Sequence, residues 1–206
     1  MQQHWLGRQP YEMMWQRLQA RAAQVADGCA DEIIFSCEHE PVYTTGRRGI
    51  DNRRQAQLPA PVVQSDRGGE MTFHGPGQLM LYPVMDLRRR QLGVKAYVQL
   101  LEASCIALLA DCGIAAARRC GFPGVWVGEQ KIAALGVRVA RGVAYHGMAL
   151  NVTTDPAWFA AIQPCGLQSG VTTMQAQGAQ STDLSDLAAA WTRQLSSQLA
   201  ALNPTP

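Results

Sequence analysis

Three apolar segments separated by two-residue turns occupy the middle of the chain, at residues 125–127, 131–139 and 143–152, joined by Gly128-Glu129 and Arg141-Gly142. Connections that short join only antiparallel neighbours, so the spacing predicts a β-meander. Shorter strands are expected at 32–37, 41–45, 62–65, 71–74 and 78–87, bounded by Gly, Pro and polar clusters. Residues 10–26 have the period of an amphipathic helix, with Tyr11, Met14, Trp15, Leu18, Ala22 and Val25 on one face and Pro10 suited to the first turn. A second helix is expected over 94–112, closed by Gly113, and a short one over 156–162. The last, over 183–202, would be entered through Ser181 or Thr182 and would bury Leu184, Leu187, Ala188, Trp191, Leu195 and Leu199. Residues 166–180 read as loop, and 203–206 as a frayed end. Strands and helices mix without regular βαβ alternation, which gives the fold class as α+β, a mixed sheet flanked by helices.

At 206 residues, with no internal repeat or low-complexity linker, the chain (residues 1–206) is expected to form one domain with a substantial core. Residues 1–10 lack the apolar core of a signal peptide, and no apolar run approaches a bilayer span, so a cytoplasmic protein without membrane contact is expected. The six cysteines show no paired C-x-x-C spacing, so reduced thiols are expected, with Cys29, Cys37, Cys105, Cys112 and Cys120 mostly small core residues. Arginine clusters at Arg47-Arg48, Arg53-Arg54, Arg88-Arg89-Arg90 and Arg118-Arg119. These suit solvated loops and helix ends, or docking of an acidic macromolecule. Nucleic acid is disfavoured because aromatics are not interleaved with them.

Only two of the eighteen basic residues are lysines, Lys95 and Lys131. Lys131 opens the run Ile132-Ala133-Ala134-Leu135-Gly136-Val137, and strict alternation would set it on the face of Ala133, Leu135 and Val137. A lysine desolvated there gives up its proton easily, although a snorkelling lysine at a strand start is the ordinary alternative. Cys165 lies between Pro164 and Gly166, a turn that can present sulfur to a pocket, or it is an inert buried thiol. A base beside a thiol is the minimum kit for passing an acyl group through a thioester. The segment Arg67-Gly68-Gly69-Glu70-Met71-Thr72-Phe73-His74-Gly75-Pro76-Gly77-Gln78 fixes an irregular backbone able to approach a ligand closely. It lacks the Gly-Lys-Ser/Thr ending of a P-loop and the glycine order of a dinucleotide site. His146 has no second ligand at metal spacing and reads as a structural histidine, so no metal is expected. Gly136, Gly147 and Ala149, on neighbouring strands, would leave a slot for an extended alkyl chain.

Taken in order, the segments from Arg67-Gly68-Gly69 to Phe73-His74-Gly75-Pro76-Gly77-Gln78, then Gly124-Val125-Trp126-Val127, Lys131-Ile132-Ala133, His146-Gly147 with Ala149-Leu150-Asn151, and Pro164-Cys165-Gly166, resemble the octanoyltransferases known as lipoate-protein ligase B. The likeness includes Glu38-His39 with Pro41-Val42 and reaches to about Gly170. The resemblance implies the catalytic fold of biotin and lipoate protein ligases. It implies transfer of octanoyl from acyl carrier protein to a lysine of lipoyl domains, those of 2-oxoacid dehydrogenases and the glycine cleavage H protein, by a monomer without a cofactor. It places the catalytic cysteine on Cys165 and its lysine on Lys131. Substrate contacts fall on Arg67, Gly68, Gly69, Glu70, Met71, Thr72, Phe73 and His74, on Ala134, Leu135 and Gly136, and on Gly147, Met148 and Ala149. Leu135, Met148 and Phe73 would wall the acyl tunnel. The chain departs from the family pattern at Glu70, where Gln is frequent, and at Phe73, where Tyr is common.

Three other readings fit the same residues. An ATP-dependent lipoate or biotin ligase would share the fold, and Thr45-Gly46-Arg47-Arg48-Gly49 faintly resembles a phosphate loop. A non-catalytic module binding acyl carrier or lipoyl domains would keep the arginine surfaces and tolerate loss of Cys165. A cysteine hydrolase would need His74 or His146 as partner to Cys165.

Overall fold

The computed structural model describes residues 1–46, 58–162 and 170–202. The expected Pro-Cys-Gly turn, the Arg47-Arg48 and Arg53-Arg54 pairs, most of the phosphate-loop-like stretch and the frayed end lie outside them.

Among the described residues, ten strands form two sheets. The strands are β1 (Gln2–Gln9), β2 (Ile33–His39), β3 (Val42–Thr45), β4 (Val62–Gln64), β5 (Thr72–His74), β6 (Gln78–Asp86), β7 (Ala117–Arg119), β8 (Phe122–Val127), β9 (Gln130–Ala140) and β10 (Val143–Asn151). The main sheet has the order β1-β2-β6-β10-β9-β8-β7, and a small one has the order β4-β3-β5. In the main sheet only the β1–β2 pair is parallel; the expected meander is β8-β9-β10, antiparallel throughout. The mixed sheet therefore stands as expected.

The helices among the described residues are α1 (Tyr11–Ala26), α2 (Val94–Asp111), a single turn α3 (Ala157–Ala160) and α4 (Leu184–Leu202). Met14, Leu18, Ala22 and Val25 of α1 pack on one face of the main sheet against Phe35, Met80, Val84 and Val143. The opposite face is covered by α2 and α4, through Tyr97, Leu101, Leu108, Trp191 and Leu195. Gly113 closes α2 with φ 77°, a left-handed backbone in which its N–H reaches the Ala110 carbonyl at 2.9 Å.

Three local expectations need correction. Asp183, rather than Ser181 or Thr182, caps α4: its Oδ1 accepts the Asp186 N–H at 2.9 Å. Gln2–Gln9 forms an unexpected edge strand, and Ala117–Arg119 a short tenth one. Cys37 and Cys105 are core residues, but Cys29 and Cys120 are exposed. Several clustered arginines meet the chain's own acids: Arg90 pairs with Glu32, Arg88 with Asp86 at 3.3 Å, and Arg118 with Glu102 at 3.1 Å. No helix among the described residues is long and apolar enough to cross a membrane.

Candidate active site

A cavity of about 340 Å³ opens on the α1 face of the main sheet, near the lower end of the range of roughly 300–1,000 Å³ found for small-ligand pockets. Its floor follows from strand register. Gln78, Met80 and Tyr82 of β6 alternate toward it, as do Gly147, Ala149 and Asn151 of β10 and Ala134 and Gly136 of β9. Met80 pairs with Ala149 and Ala149 with Ala134; one step deeper, Gly147 pairs with Gly136. Two bare pairs in adjoining rows leave the apolar slot foreseen from the small residues. A Cβ on Gly147 would stand 2.2 Å from the Leu81 carbonyl oxygen, so this approach admits only glycine.

Lys131 reaches the slot by a route that simple alternation misses. Trp126 of β8 pairs with Lys131, but the next residue, Val125, pairs with Ala133. Ile132 is thus an extra residue on β9, a bulge that changes the strand's phase. Ile132 and Ala133 both face the α2–α4 core, while Lys131 lines the cavity with Ala134 and Gly136. The expectation that Lys131 shares a face with Ala133 is therefore corrected. The lysine is also not surrounded by aliphatic groups alone: its Nζ donates to the Pro123 carbonyl at 3.2 Å and stands 4.8 Å from the Trp126 ring centroid. Gly124 makes room for it, since a Cβ there would come within 3.1 Å of Lys131 Cε. On its other edge Lys131 bridges Val171: its N–H donates to the Gly170 carbonyl at 3.1 Å and its carbonyl accepts from Thr172 at 3.0 Å.

The Gly-rich segment forms the roof. Gly68 donates to the Val137 carbonyl at 3.0 Å, which pins the loop across β9. Arg67 is buried, and its guanidinium donates to the carbonyls of Thr44, Gly68 and Glu70 at 2.6, 3.0 and 2.8 Å. Its Cδ occupies the space that a side chain on Gly136 would need, 3.0 Å from the ideal Cβ. Arg67 thus braces the loop and closes the slot together. Of the segment's residues, Arg67, Gly69, Glu70, Met71, Thr72 and His74 line the cavity, as do Leu135 and Met148 of the strands. Gly68 and Phe73 do not. Phe73 is fully buried in the small sheet's core, stacked 4.7 Å from Trp158, so it walls no tunnel.

Sequence reading also missed Tyr11, Met80, Tyr82, Asn151, Phe159 and the Gly121–Phe122–Pro123 edge, all of which line the cavity. Periodicity in β6 could have flagged Met80 and Tyr82; nothing local marks the others.

His146 is structural in the sense expected. β10 leaves its ladder with β6 between Ala144 and Met148, beside Pro83, which has no N–H to offer. In that gap His146 takes a left-handed backbone (φ 60°) and its Nε2 lies 2.8 Å from Asp66 Oδ1. Tyr145 Oη also donates to Asp66, and Trp15 Nε1 does so at 2.8 Å. Burial works to raise the Asp66 carboxyl, but the bonds from His146, Tyr145 and Trp15 outweigh it and hold the group well below the usual carboxylate range. Asp66 immediately precedes Arg67, so this cluster anchors the start of the roof. No group of three acidic, His or Cys side chains among the described residues is placed to hold a metal.

Three histidines are buried here, and burial lowers the pKa of each. His39 donates from Nδ1 to the Gln9 carbonyl at 2.7 Å and accepts at Nε2 from Tyr82 Oη at 2.9 Å, a fully satisfied neutral ring. Desolvation brings it to about 4 from 6.5, against the smaller opposing pull of Gln9 and Glu38. Between those values the unfolded chain binds the proton and the folded one does not, so stability falls as pH drops from 6.5 toward 4 and this contribution then levels off. Two and a half units correspond to about 3 kcal/mol. Thermal melts across pH 7 to 4 should show this loss, with a shallower slope for His39→Gln. An unchanged slope would remove His39 as a source.

The fold is one shared with solved lipoate and biotin protein ligases. Lipoate-protein ligase A bound with ATP superposes with a TM-score of 0.73 over 97% of this chain and 86% of that one, at 15% identity. Biotin protein ligase from Aquifex aeolicus gives 0.57 over 98% and 70%, at 12% identity. Such low identities speak for the fold alone. The sequence comparison is narrower. Residues 10–196 match the lipoyl protein ligase A/B catalytic domain. The octanoyltransferase of Thiobacillus denitrificans is 51% identical over 161 residues, 78% of this chain and 73% of that protein. That of Halorhodospira halophila is 47% identical over 169 residues, 82% and 77% of the two chains. The chain belongs to the lipoyl protein ligase A/B family, in its octanoyltransferase branch, and is an acyltransferase.

Proposed function

We propose that residues 1–206 form one catalytic domain that carries octanoyl from acyl carrier protein to a lysine of lipoyl domains, including those of 2-oxoacid dehydrogenases and the glycine cleavage H protein. The acyl group passes through a thioester on Cys165, with Lys131 moving the protons. The observation that carries this reading is the bare slot of Ala134, Gly136, Gly147 and Ala149, which has Lys131 on its rim. Its floor is bare of large side chains over two adjoining strand pairs, which leaves room for a saturated chain. Gly170, five residues after Cys165 in the chain, is bonded to Lys131 itself. The close relatives bear the transferase name, whereas the ligases share only the fold.

The Cys165 thiolate attacks the octanoyl thioester carbonyl, and the carrier thiolate leaves and takes a proton from the Lys131 ammonium. One thioester has replaced another at little cost. The acceptor lysine then attacks the acyl-enzyme as a free amine and passes its surplus proton to neutral Lys131. The amide forms, the Cys165 thiolate departs, and both groups are restored. Thioester to amide runs downhill, so no ATP is consumed. Before the first step, the Lys131 ammonium favours the thiolate form of a nearby cysteine.

Intact-mass measurement tests this. After mixing with octanoyl-carrier protein, the enzyme should gain one octanoyl group, and peptide mapping should locate it on Cys165. A label spread over the exposed Cys29 and Cys120 would defeat the assignment.

A further inference from the structure

Arg119 does not line the cavity but stands beside its edge. It pairs with Phe122 across the β7–β8 hairpin, and Gly121, Phe122 and Pro123 form the cavity's edge next to Lys131. Its guanidinium carbon lies 5.2 Å from the ring centroids of both Phe122 and Trp126. Lys131 Nζ stands 4.8 Å from the same Trp126 ring. Two cations therefore share one indole at the cavity mouth. The adjacent Arg118 is neutralised by Glu102 at 3.1 Å. Arg119 has no carboxylate partner among the described residues, and its Nη1 is buried without a hydrogen bond. Phe122 beside it is 37% exposed, a large aromatic left facing solvent.

We infer that Arg119 is a docking residue for the acceptor protein, receiving a carboxylate that flanks the lysine to be acylated. The inference rests on the reading of Lys131 as the mouth of the transfer site. Two protein substrates visit this mouth, and their reach separates them. The carrier delivers its thioester at the end of a long pantetheine arm, so the carrier's own surface stays remote from the reacting carbonyl. The acceptor delivers a lysine with only a four-carbon stem, so its backbone and flanking side chains must come within a few ångströms of the rim. A charge beside Lys131 thus faces the acceptor. The sign also fits. The Arg119 cation repels an arriving ammonium and favours the free amine needed for attack, while a carboxylate next to that lysine restores attraction for the protein as a whole. The planar guanidinium is held against two rings, and its N–H groups other than the buried Nη1 form a fixed edge that suits a carboxylate.

The test uses full-length enzyme and direct titration, which needs no acyl-enzyme and so is independent of the role of Cys165. The probes are a lipoyl domain with an unmodified lysine and, separately, the acyl carrier protein. For Arg119→Gln the Kd for the lipoyl domain should rise about tenfold, the worth of one charge-assisted bond, and further for Arg119→Glu. Arg119→Lys, which keeps charge and loses the fork, should fall between. Carrier affinity should stay within about twofold of the unsubstituted protein, and thermal melts establish that each variant is folded. Replacing a lipoyl-domain carboxylate near the target lysine by lysine should recover affinity for Arg119→Glu. Unchanged acceptor affinity, or a loss confined to the carrier, overturns the inference. A failure of Cys165 to accept octanoyl would leave these titrations unaffected, so the two readings fail separately.

Discussion

Cys165→Ala should lower octanoyl transfer by about four orders of magnitude or more, because no other atom in the proposed scheme can form the covalent intermediate. The single-turnover yield of octanoylated lipoyl domain, followed by mass spectrometry, measures this. The variant should still bind carrier protein, and its melting temperature should be close to that of the parent. Direct attack of the acceptor amine on the carrier thioester is the competing route. It would leave substantial turnover without the sulfur, so residual activity above about a hundredth of the parent would establish that route instead. The cysteine's contribution cannot be replaced by the general polarity of the pocket, since binding both substrates side by side does not stabilise the thiolate leaving group of the second step.

Lys131→Arg should lower transfer by about 10²- to 10⁴-fold, the usual worth of a positioned acid–base group. Arginine can keep the contacts that hold the side chain in place, a donor to the Pro123 carbonyl and a cation over the Trp126 ring. It cannot release a proton near neutrality. Folding and acceptor binding should therefore survive while both half-reactions slow. The residual rate should climb steeply with pH as the acceptor lysine loses its proton to solvent. Turnover equal to the parent at pH 7 would take Lys131 out of the mechanism.

Much of the architecture was legible because it rests on local regularities. Met14, Leu18, Ala22 and Val25 bury at helical spacing as read, and the two-residue turns gave the antiparallel meander. What escaped depends on tertiary context. β1 has little apolar alternation and is held through its backbone along β2, so no pattern in Gln2–Gln9 announces it. Asp183 competes with two other capping residues just before it, and only the helix start decides among them. The slot was visible as a run of small residues on neighbouring strands, but its polar far side, Tyr11 and Tyr82, comes from a helix and a strand remote in sequence. Phe73 was misplaced because a residue inside a ligand loop can still turn its side chain away, here toward Trp158. The phase of Lys131 failed for a sharper reason: alternation assumes an unbroken ladder, and β9 contains an additional residue.

That additional residue has a bearing on how such a gene can vary. Loss of Gln130 would draw Ile132 into the regular ladder, set Lys131 on the face of Ala133 and swing the amine into the layer occupied by α2 and α4, where it could neither titrate nor touch an acyl carbonyl. Related chains that work the same way should hold this stretch at constant length, while tolerating exchange among aliphatic side chains at position 132.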